Sequence, residues 1–166
     1  MHKCLLFNTN PIEFDITEIE SGKDFILYDD EFDLSTEILE VSLDVSNCTN
    51  TNENIISAGS NIDSFWTGTN MHVYYTKSTN NLLFNLIYNG NKVDISKIMN
   101  TTNIIIKLQY DGIYVNDEKV TTTTASSWIT AFGELSTIQI GSLEGSTRSN
   151  AKYNYIKISR NSKITN

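Results

Sequence analysis

Apolar and polar residues alternate along most of the chain with a period of two. In residues 38–45, positions 39, 41, 43 and 45 are apolar, and the residues between them from 40 onward are polar. This pattern is typical of a strand with one face on a core and the other in solvent. Similar patterns predict further strands at 54–59, 71–76, 82–88, 103–110, 113–116, 136–141 and 154–159.

Turn signals separate these strands. Asn89-Gly90 and Asp111-Gly112 are typical of tight hairpin turns, because both residues of each pair tolerate a positive φ. Short helical turns are predicted only at 94–99 and 127–132. Eight or more short strands at a spacing of about ten residues predict an antiparallel two-sheet sandwich or jelly roll.

Composition supports an all-β chain. The 166 residues include 21 Ile and 19 Thr but only 4 Ala, which disfavours a helical protein. The length suits one domain, and no apolar stretch is long enough to cross a bilayer. Two Cys exclude a disulfide-dense scaffold.

Charge is distributed unevenly. Residues 1–45 contain twelve acids and two bases, a net charge of −10, whereas residues 46–166 carry +2. The acidic part predicts either a surface for a basic partner or a cation, or an outer strand face that stays soluble. An isoelectric point near 4.6 argues against a nucleic-acid partner.

The first residues, Met-His-Lys-Cys-Leu-Leu-Phe-Asn, form too short an apolar run for a secretory signal. We therefore expect a chain that stays in the cell that makes it, or that leaves by a route needing no signal. Assembly into a virus particle released by lysis is one such route.

Four segments resemble the concanavalin A-like lectin and glucanase superfamily, especially its laminin-G-like domains. They are residues 32–45, 54–59, the hairpin 106–120, and the pair 138–142 with 155–159. In the hairpin, Asp117 stands where the family usually has Gly. The resemblance implies a jelly-roll sandwich over 32–166, with 1–31 as an acidic N-terminal extension packed on it. Members of the superfamily bind glycans, bind proteins, decorate virus particles or hydrolyse β-glucans.

Hydrolysis is disfavoured by the spacing of the acids. The glucanases carry Glu-x-Asp-x-Glu or Glu-x-Asp-x-x-Glu on one strand, whereas this chain has Glu31, Asp33 and Glu37. Glu31 and Glu37 would lie ~20 Å apart in a straight strand. Retaining hydrolysis needs carboxyl groups ~5 Å apart, so we expect no enzyme.

Metal and nucleophile signals are weak. His2 and His72 have no metal-ligand spacing, and Cys4 and Cys48 are expected to be buried thiols. We expect no cofactor, and the alternative is calcium, which stabilises some members of the superfamily. Its candidate ligands are residues 29–31 or Asp111.

Aromatic side chains are the candidate sugar-binding residues, because lectins place aromatic faces against sugar C–H groups. Ordinary core packing is the alternative for each of them. If Ile156 and Ile158 face the core, alternation predicts an exposed pair at 153 and 155. The candidates are Trp66, Tyr74, Trp128, Tyr153 and Tyr155.

The sequence thus favours a non-enzymatic, lectin-like attachment protein, among three hypotheses for its function. The first is a decoration or fibre-associated component of a tailed bacteriophage, with capsid proteins and cell-surface or mucus glycans as partners. The second is a free carbohydrate-binding module. The third is a β-glucan hydrolase. Neither nucleic acid nor membrane is expected as a partner.

Overall fold

The described part of the chain is built almost entirely from strands. A computed structural model describes residues 12–14, 25–28, 37–49, 51–59, 68–88, 90–109, 111–120, 137–141 and 148–160, to which all structural statements refer. The strands are β1 Ile12–Phe14, β2 Phe25–Tyr28, β3 Glu37–Asp44, β4 Glu53–Gly59, β5 Asn70–Thr76, β6 Asn81–Tyr88, β7 Asn91–Ile98, β8 Asn103–Gln109, β9 Gly112–Val115, β10 Glu118–Lys119, β11 Thr137–Ile140 and β12 Lys152–Arg160. One 3₁₀ turn, Lys77–Thr79, joins β5 to β6. No helix among these residues is long and apolar enough to span a bilayer.

The strands form two antiparallel sheets. The first sheet has the order β1-β12-β3-β8-β9-β10, and the second has the order β2-β11-β4-β5-β6-β7. Neighbours such as β12 and β3 are far apart in sequence, as a jelly roll requires. The predicted fold class, an antiparallel two-sheet jelly-roll sandwich, is confirmed.

One apolar core lies between the sheets. Ile104, Ile106 and Leu108 alternate along β8 and are fully buried, while the residues between them are only partly buried. On the second sheet, Val73 and Phe84 belong to the same cluster of buried residues. Each such side chain contributes about 1.5–3 kcal/mol on burial, so this core is the main source of stability.

Strand β7 corrects a prediction of the sequence analysis. Residues 94–99 were expected to form a short helical turn, but β7 extends over Asn91–Ile98 and pairs with β6 along its whole length. Within it, Ile95 faces the core while Asp94 and Ser96 are exposed, which is the period of a strand. The second predicted helical turn, at 127–132, lies outside the described residues.

Two short strands come from the first 31 residues of the chain. Strand β1 pairs with β12 and occupies one edge of the first sheet. Strand β2 pairs with β11 and occupies one edge of the second sheet. Parts of the predicted acidic extension therefore continue both sheets, while the division of the chain at residue 31 stays a prediction.

Candidate functional site

The outer face of the second sheet carries a set of polar side chains. Along β5, Met71, Val73 and Tyr75 are buried in the core. Because successive side chains point to opposite faces, the residues between them lie on the outer face. These residues are Asn70, His72 and Tyr74.

Strand register aligns five of the outer residues into a row across the sheet. Cross-strand pairing joins Gln139 to Ser57, Ser57 to His72, His72 to Asn85, and Asn85 to Asp94. We call this set, Gln139-Ser57-His72-Asn85-Asp94, the polar row. Directly opposed side chains on one face lie close enough to interact, so the row is continuous.

The polar row runs from buried to open. Ser57 and His72 are 0% exposed, whereas Asn85 is half-buried and Asp94 is exposed. The Nδ1 atom of His72 lies 3.4 Å from the hydroxyl oxygen of Ser57. Asn85 donates from Nδ2 to Oδ1 of Asp94 at 2.5 Å, and Lys92 pairs with the same carboxylate at 3.2 Å. The polar row is therefore open to solvent at its β6–β7 end.

Tyr74 lies beside the polar row and is half-buried. Its ring stacks on that of His72, with centroids 5.9 Å apart and an angle of 26° between the planes. Its cross-strand neighbour on β6 is Leu83, and Leu83 is paired in turn with Ser96 on β7. Burial raises the pKa of the Tyr74 phenol, which is therefore neutral and able to donate a hydrogen bond.

Two buried amide oxygens on this face have no hydrogen-bond partner among the described residues. They are Oδ1 of Asn54 and Oδ1 of Asn70. Asn54 is the cross-strand partner of Tyr74 on β4. An unsatisfied buried acceptor costs about 1–3 kcal/mol, so these two oxygens do not stabilise the fold.

The described residues of this face offer aromatic, amide and hydroxyl groups. On β5, β6 and β7, its described residues include one carboxylate, that of Asp94, and Lys92 already neutralises it. An aromatic ring beside amides and hydroxyls offers stacking and hydrogen bonds.

The outer face of the first sheet carries alternating charges. Register aligns Glu13, Lys157, Glu40 and Lys107 on four neighbouring strands. The Glu40 carboxylate accepts hydrogen bonds from Lys157 at 2.9 Å and from Tyr155 at 2.6 Å, and it lies 3.4 Å from Lys107. Burial raises the pKa of Glu40, but these hydrogen bonds and the lysine charges outweigh it and leave the pKa lowered.

Tyr155 belongs to this charged network. Its hydroxyl donates to Glu40, and the Lys157 ammonium lies 4.5 Å from the centre of its ring. A sugar would have to displace that ammonium in order to stack on the ring. Tyr155 also lies on the opposite side of the sandwich from Tyr74, so the two tyrosines cannot form one site.

Tyr153 corrects the expectation of an exposed tyrosine pair. Its side chain is 2% exposed, and its hydroxyl donates to the carbonyl oxygen of Ile55 at 3.3 Å. The pairing of β12 with β3 shifts between Tyr153 and Tyr155, so Asn154 is an extra residue that reverses the alternation. Desolvation raises the pKa of the Tyr153 phenol, as expected for a core tyrosine.

Several predicted residues lie outside the described residues. These are Trp66, Trp128, Glu31, Asp33 and the candidate calcium ligands at 29–31. Asp111 is described, and its carboxylate accepts hydrogen bonds from Gln109 and Tyr114. No group of three or more His, Cys, Asp or Glu side chains in the described ranges is placed to hold a metal ion. An absence of cofactors stays a prediction.

Tyr74 is a candidate in the sequence, whereas His72, Asn54 and Asn85, which lie near it on this face, are not. The signal for His72 was present, because Asn70, His72 and Tyr74 alternate with apolar residues. The contributions of Asn54 and Asn85 depend on strand register, which a single sequence does not contain.

Solved structures with the same architecture include lectins, binding modules and parts of hydrolases. Sheep galectin-11, in a complex with glycerol, is 7% identical with a TM-score of 0.51, over 81% of this chain and 96% of that chain. The CBM40 module of Ruminococcus gnavus IT-sialidase, bound to α2,3 sialyllactose, is 14% identical with a TM-score of 0.50, over 78% and 77%. A mutant of the GH43 protein BlXynB from Bacillus licheniformis is 13% identical with a TM-score of 0.52, over 83% of this chain but 32% of that chain.

No family model matches the chain, and a search of curated proteins finds no match. The identities to solved structures are low, so the likeness concerns the fold. The chain shares the antiparallel two-sheet jelly-roll fold of sheep galectin-11 and the CBM40 module, which is the fold that the resemblance in the sequence predicted.

Proposed function

We propose that this chain is a non-catalytic carbohydrate-binding module whose glycan site is the outer face of the second sheet. The site is centred on Tyr74 and on the open end of the polar row, where Asn85 lies. The observation that carries the proposal is the half-buried Tyr74 ring, stacked on His72, beside a polar row that opens to solvent at Asn85 and Asp94. The Tyr74 ring offers a face to sugar C–H groups, and amides and hydroxyls around it match sugar hydroxyls.

The structural neighbours support this proposal. Sheep galectin-11 is a lectin by name, and the CBM40 module was solved with α2,3 sialyllactose bound. Both are matched over more than three quarters of their own length. The GH43 protein is matched over about a third of its length, so the match does not extend to that whole protein.

The experiment combines a glycan array with calorimetry on the strongest ligand. We expect Tyr74→Ala to weaken binding about tenfold, because a stacked ring contributes about 1 kcal/mol beyond its buried area. Tyr155→Ala is the matched control on the opposite face and should bind as the parent chain does. A blank array, or equal binding by Tyr74→Ala, contradicts the proposal.

Hydrolysis remains the competing function, since one of the neighbours is a GH43 protein. It is disfavoured because the acids at 31, 33 and 37 have the wrong spacing for the glucanase motif. Release of reducing sugar from a β-glucan, abolished by Glu31→Gln, would establish it and overturn the non-catalytic assignment.

A narrower proposal places the module on the surface of a bacteriophage particle, where it would attach to cell-surface or mucus glycans. It rests on the sequence, namely the acidic first 45 residues as a docking surface and the Asn- and Thr-rich composition. Copurification of the chain with intact virions, lost when Asp15→Asn, Glu18→Gln and Glu20→Gln neutralise three acids between β1 and β2, supports it. A chain found only in the soluble fraction of the lysate contradicts it.

A further inference from the structure

A pocket of about 170 Å³ lies at one end of the sandwich, apart from the face proposed above. It forms where the β5–β6 turn approaches the connection from β7 to β8. Two of its lining residues are buried and four are exposed. The lining residues are Tyr75, Met99, Asn80, Asn100, Thr101 and Thr102.

The pocket has an apolar bottom and a polar rim. Tyr75 and Met99 are 1% and 5% exposed, so they form the bottom. The other four lining residues are exposed and carry only amides and hydroxyls. A sugar ring has the same division, with C–H groups on its faces and hydroxyls around its edge.

Hydrogen bonds hold the pocket in shape before any ligand arrives. Met99 donates its backbone N–H to the carbonyl oxygen of Asn80 at 2.7 Å, and the Tyr75 hydroxyl donates to Oδ1 of Asn80 at 3.0 Å. On the other wall, Asn103 donates to the Thr101 hydroxyl at 3.3 Å, and Val45 donates to the Thr102 carbonyl at 2.9 Å. A preformed pocket loses little conformational entropy on binding.

Size and charge define the ligand class. Pockets for drug-sized ligands start at about 300 Å³, so this one suits a single ring. None of the side chains that line it carries a charge at neutral pH. A carboxylate would gain no ion pair there to offset its lost hydration, which disfavours uronic and sialic acids.

We propose that this pocket is a second, separate site that binds one neutral sugar residue. It uses the inner edge of β5 at Tyr75, whereas the face around Tyr74 lies on the other side of the same strand. Sugar binding in the pocket therefore does not depend on the glycan site proposed for the outer face of the second sheet.

The test is an NMR titration of the backbone amides with methyl glycosides of glucose, galactose and mannose, one at a time. We expect saturable shifts at residues 80 and 99–102 with at least one of them, separate from any shifts that binding at the Tyr74 face produces. Glucuronic acid, the charged comparison, should bind at least about tenfold more weakly, a difference of 1.4 kcal/mol. Glycerol tests for unspecific binding of any polyol.

Variants separate this site from the other. Thr101→Trp fills the pocket and should abolish the shifts, while Thr51→Trp, at an exposed threonine outside the pocket, should keep them. Tyr75→Phe, which keeps the ring, is the second probe and should weaken binding about 2- to 10-fold. Tyr74→Ala should change nothing here. No shifts at residues 80 and 99–102, equal binding of glucuronic acid or glycerol there, or shifts at these residues retained by Thr101→Trp overturns the proposal.

Discussion

At the scale of single residues, Glu40 is the centre of the charged network on the first sheet. It is 9% exposed, yet three groups stabilise its carboxylate, namely Lys157, Lys107 and the Tyr155 hydroxyl. A nearly buried carboxylate would ordinarily be destabilising, and here its partners compensate for the lost hydration. Loss of the charge leaves two lysines without their common partner.

Replacing Glu40 should therefore destabilise the protein in a pH-dependent way. We expect Glu40→Gln to lower the free energy of unfolding by about 1–3 kcal/mol at pH 7. Because the pKa of Glu40 is lowered by folding, its contribution is present above the unfolded value of 4.5 and disappears as the pH falls through the folded value. Urea titrations at pH 7 and pH 3 measure both differences.

Glu13→Gln is the matched control, because Glu13 is exposed on the same sheet. Its effect should stay within about 0.5 kcal/mol at both pH values. A Glu40→Gln chain as stable as the parent at pH 7, or equally destabilised at pH 3, would contradict the network as described.

The sequence predicts only part of the side-chain arrangement along β12. The pattern of β12 correctly indicates that Ile156 and Ile158 face the core, and both are buried. It fails at Tyr153, because the bulge at Asn154 changes the face of every residue before it. No residue type in that segment requires a bulge, so only the pairing with β3 reveals it.

At the scale of elements, the turn between β9 and β10 depends on one asparagine. Asn116 and Asp117 have φ angles of 49° and 65°, in the left-handed region that ordinary side chains avoid. The Asn116 side chain also accepts a hydrogen bond from the Ile105 backbone at 2.8 Å. Asn116 thus supplies both the turn conformation and a link to β8.

Two variants of Asn116 separate these contributions. Asn116→Gly loses the hydrogen bond but keeps the turn conformation, whereas Asn116→Ala loses both. We expect alanine to be the less stable variant by about 1 kcal/mol, because a left-handed conformation costs about 1–2 kcal/mol outside glycine. Thermal unfolding of the three chains measures the order, and equal stability of the two variants contradicts it.

Elements also differ in how well a sequence predicts them. The alternation of apolar and polar residues is enough to predict strand β8. Strand β7 contains only two core-facing hydrophobic residues, Val93 and Ile95, and its Ile98 is 77% exposed. With so few buried residues, the local pattern cannot distinguish a strand from a helical turn. Pairing with all eight residues of β6 determines the structure of β7.

At the scale of the whole molecule, the order of strands in the sheets is what the sequence leaves open. Alternation predicts which residues face inward, but it does not indicate that β12 lies between β1 and β3. The candidate site also depends on pairing: Tyr74 is a candidate from the sequence alone, whereas Asn85 joins the face because register pairs it with His72. Long-range pairing, and not local propensity, assembles the face that we propose binds glycans.

Because both sheets share one core, the molecule should unfold as a single unit. Ile106 in the first sheet and Phe84 in the second belong to the same buried cluster. We expect Ile106→Ala and Phe84→Ala each to lower the free energy of unfolding by about 2–5 kcal/mol, by loss of buried area and the cavity left behind.

The measurement is a urea titration followed by resolved NMR signals from both sheets. Either substitution should lower the midpoints of all signals together, since neither sheet keeps a covered inner face without the other. Separate midpoints for the two sheets would show that each is stable alone, and the shared core would then not be what holds the sandwich together.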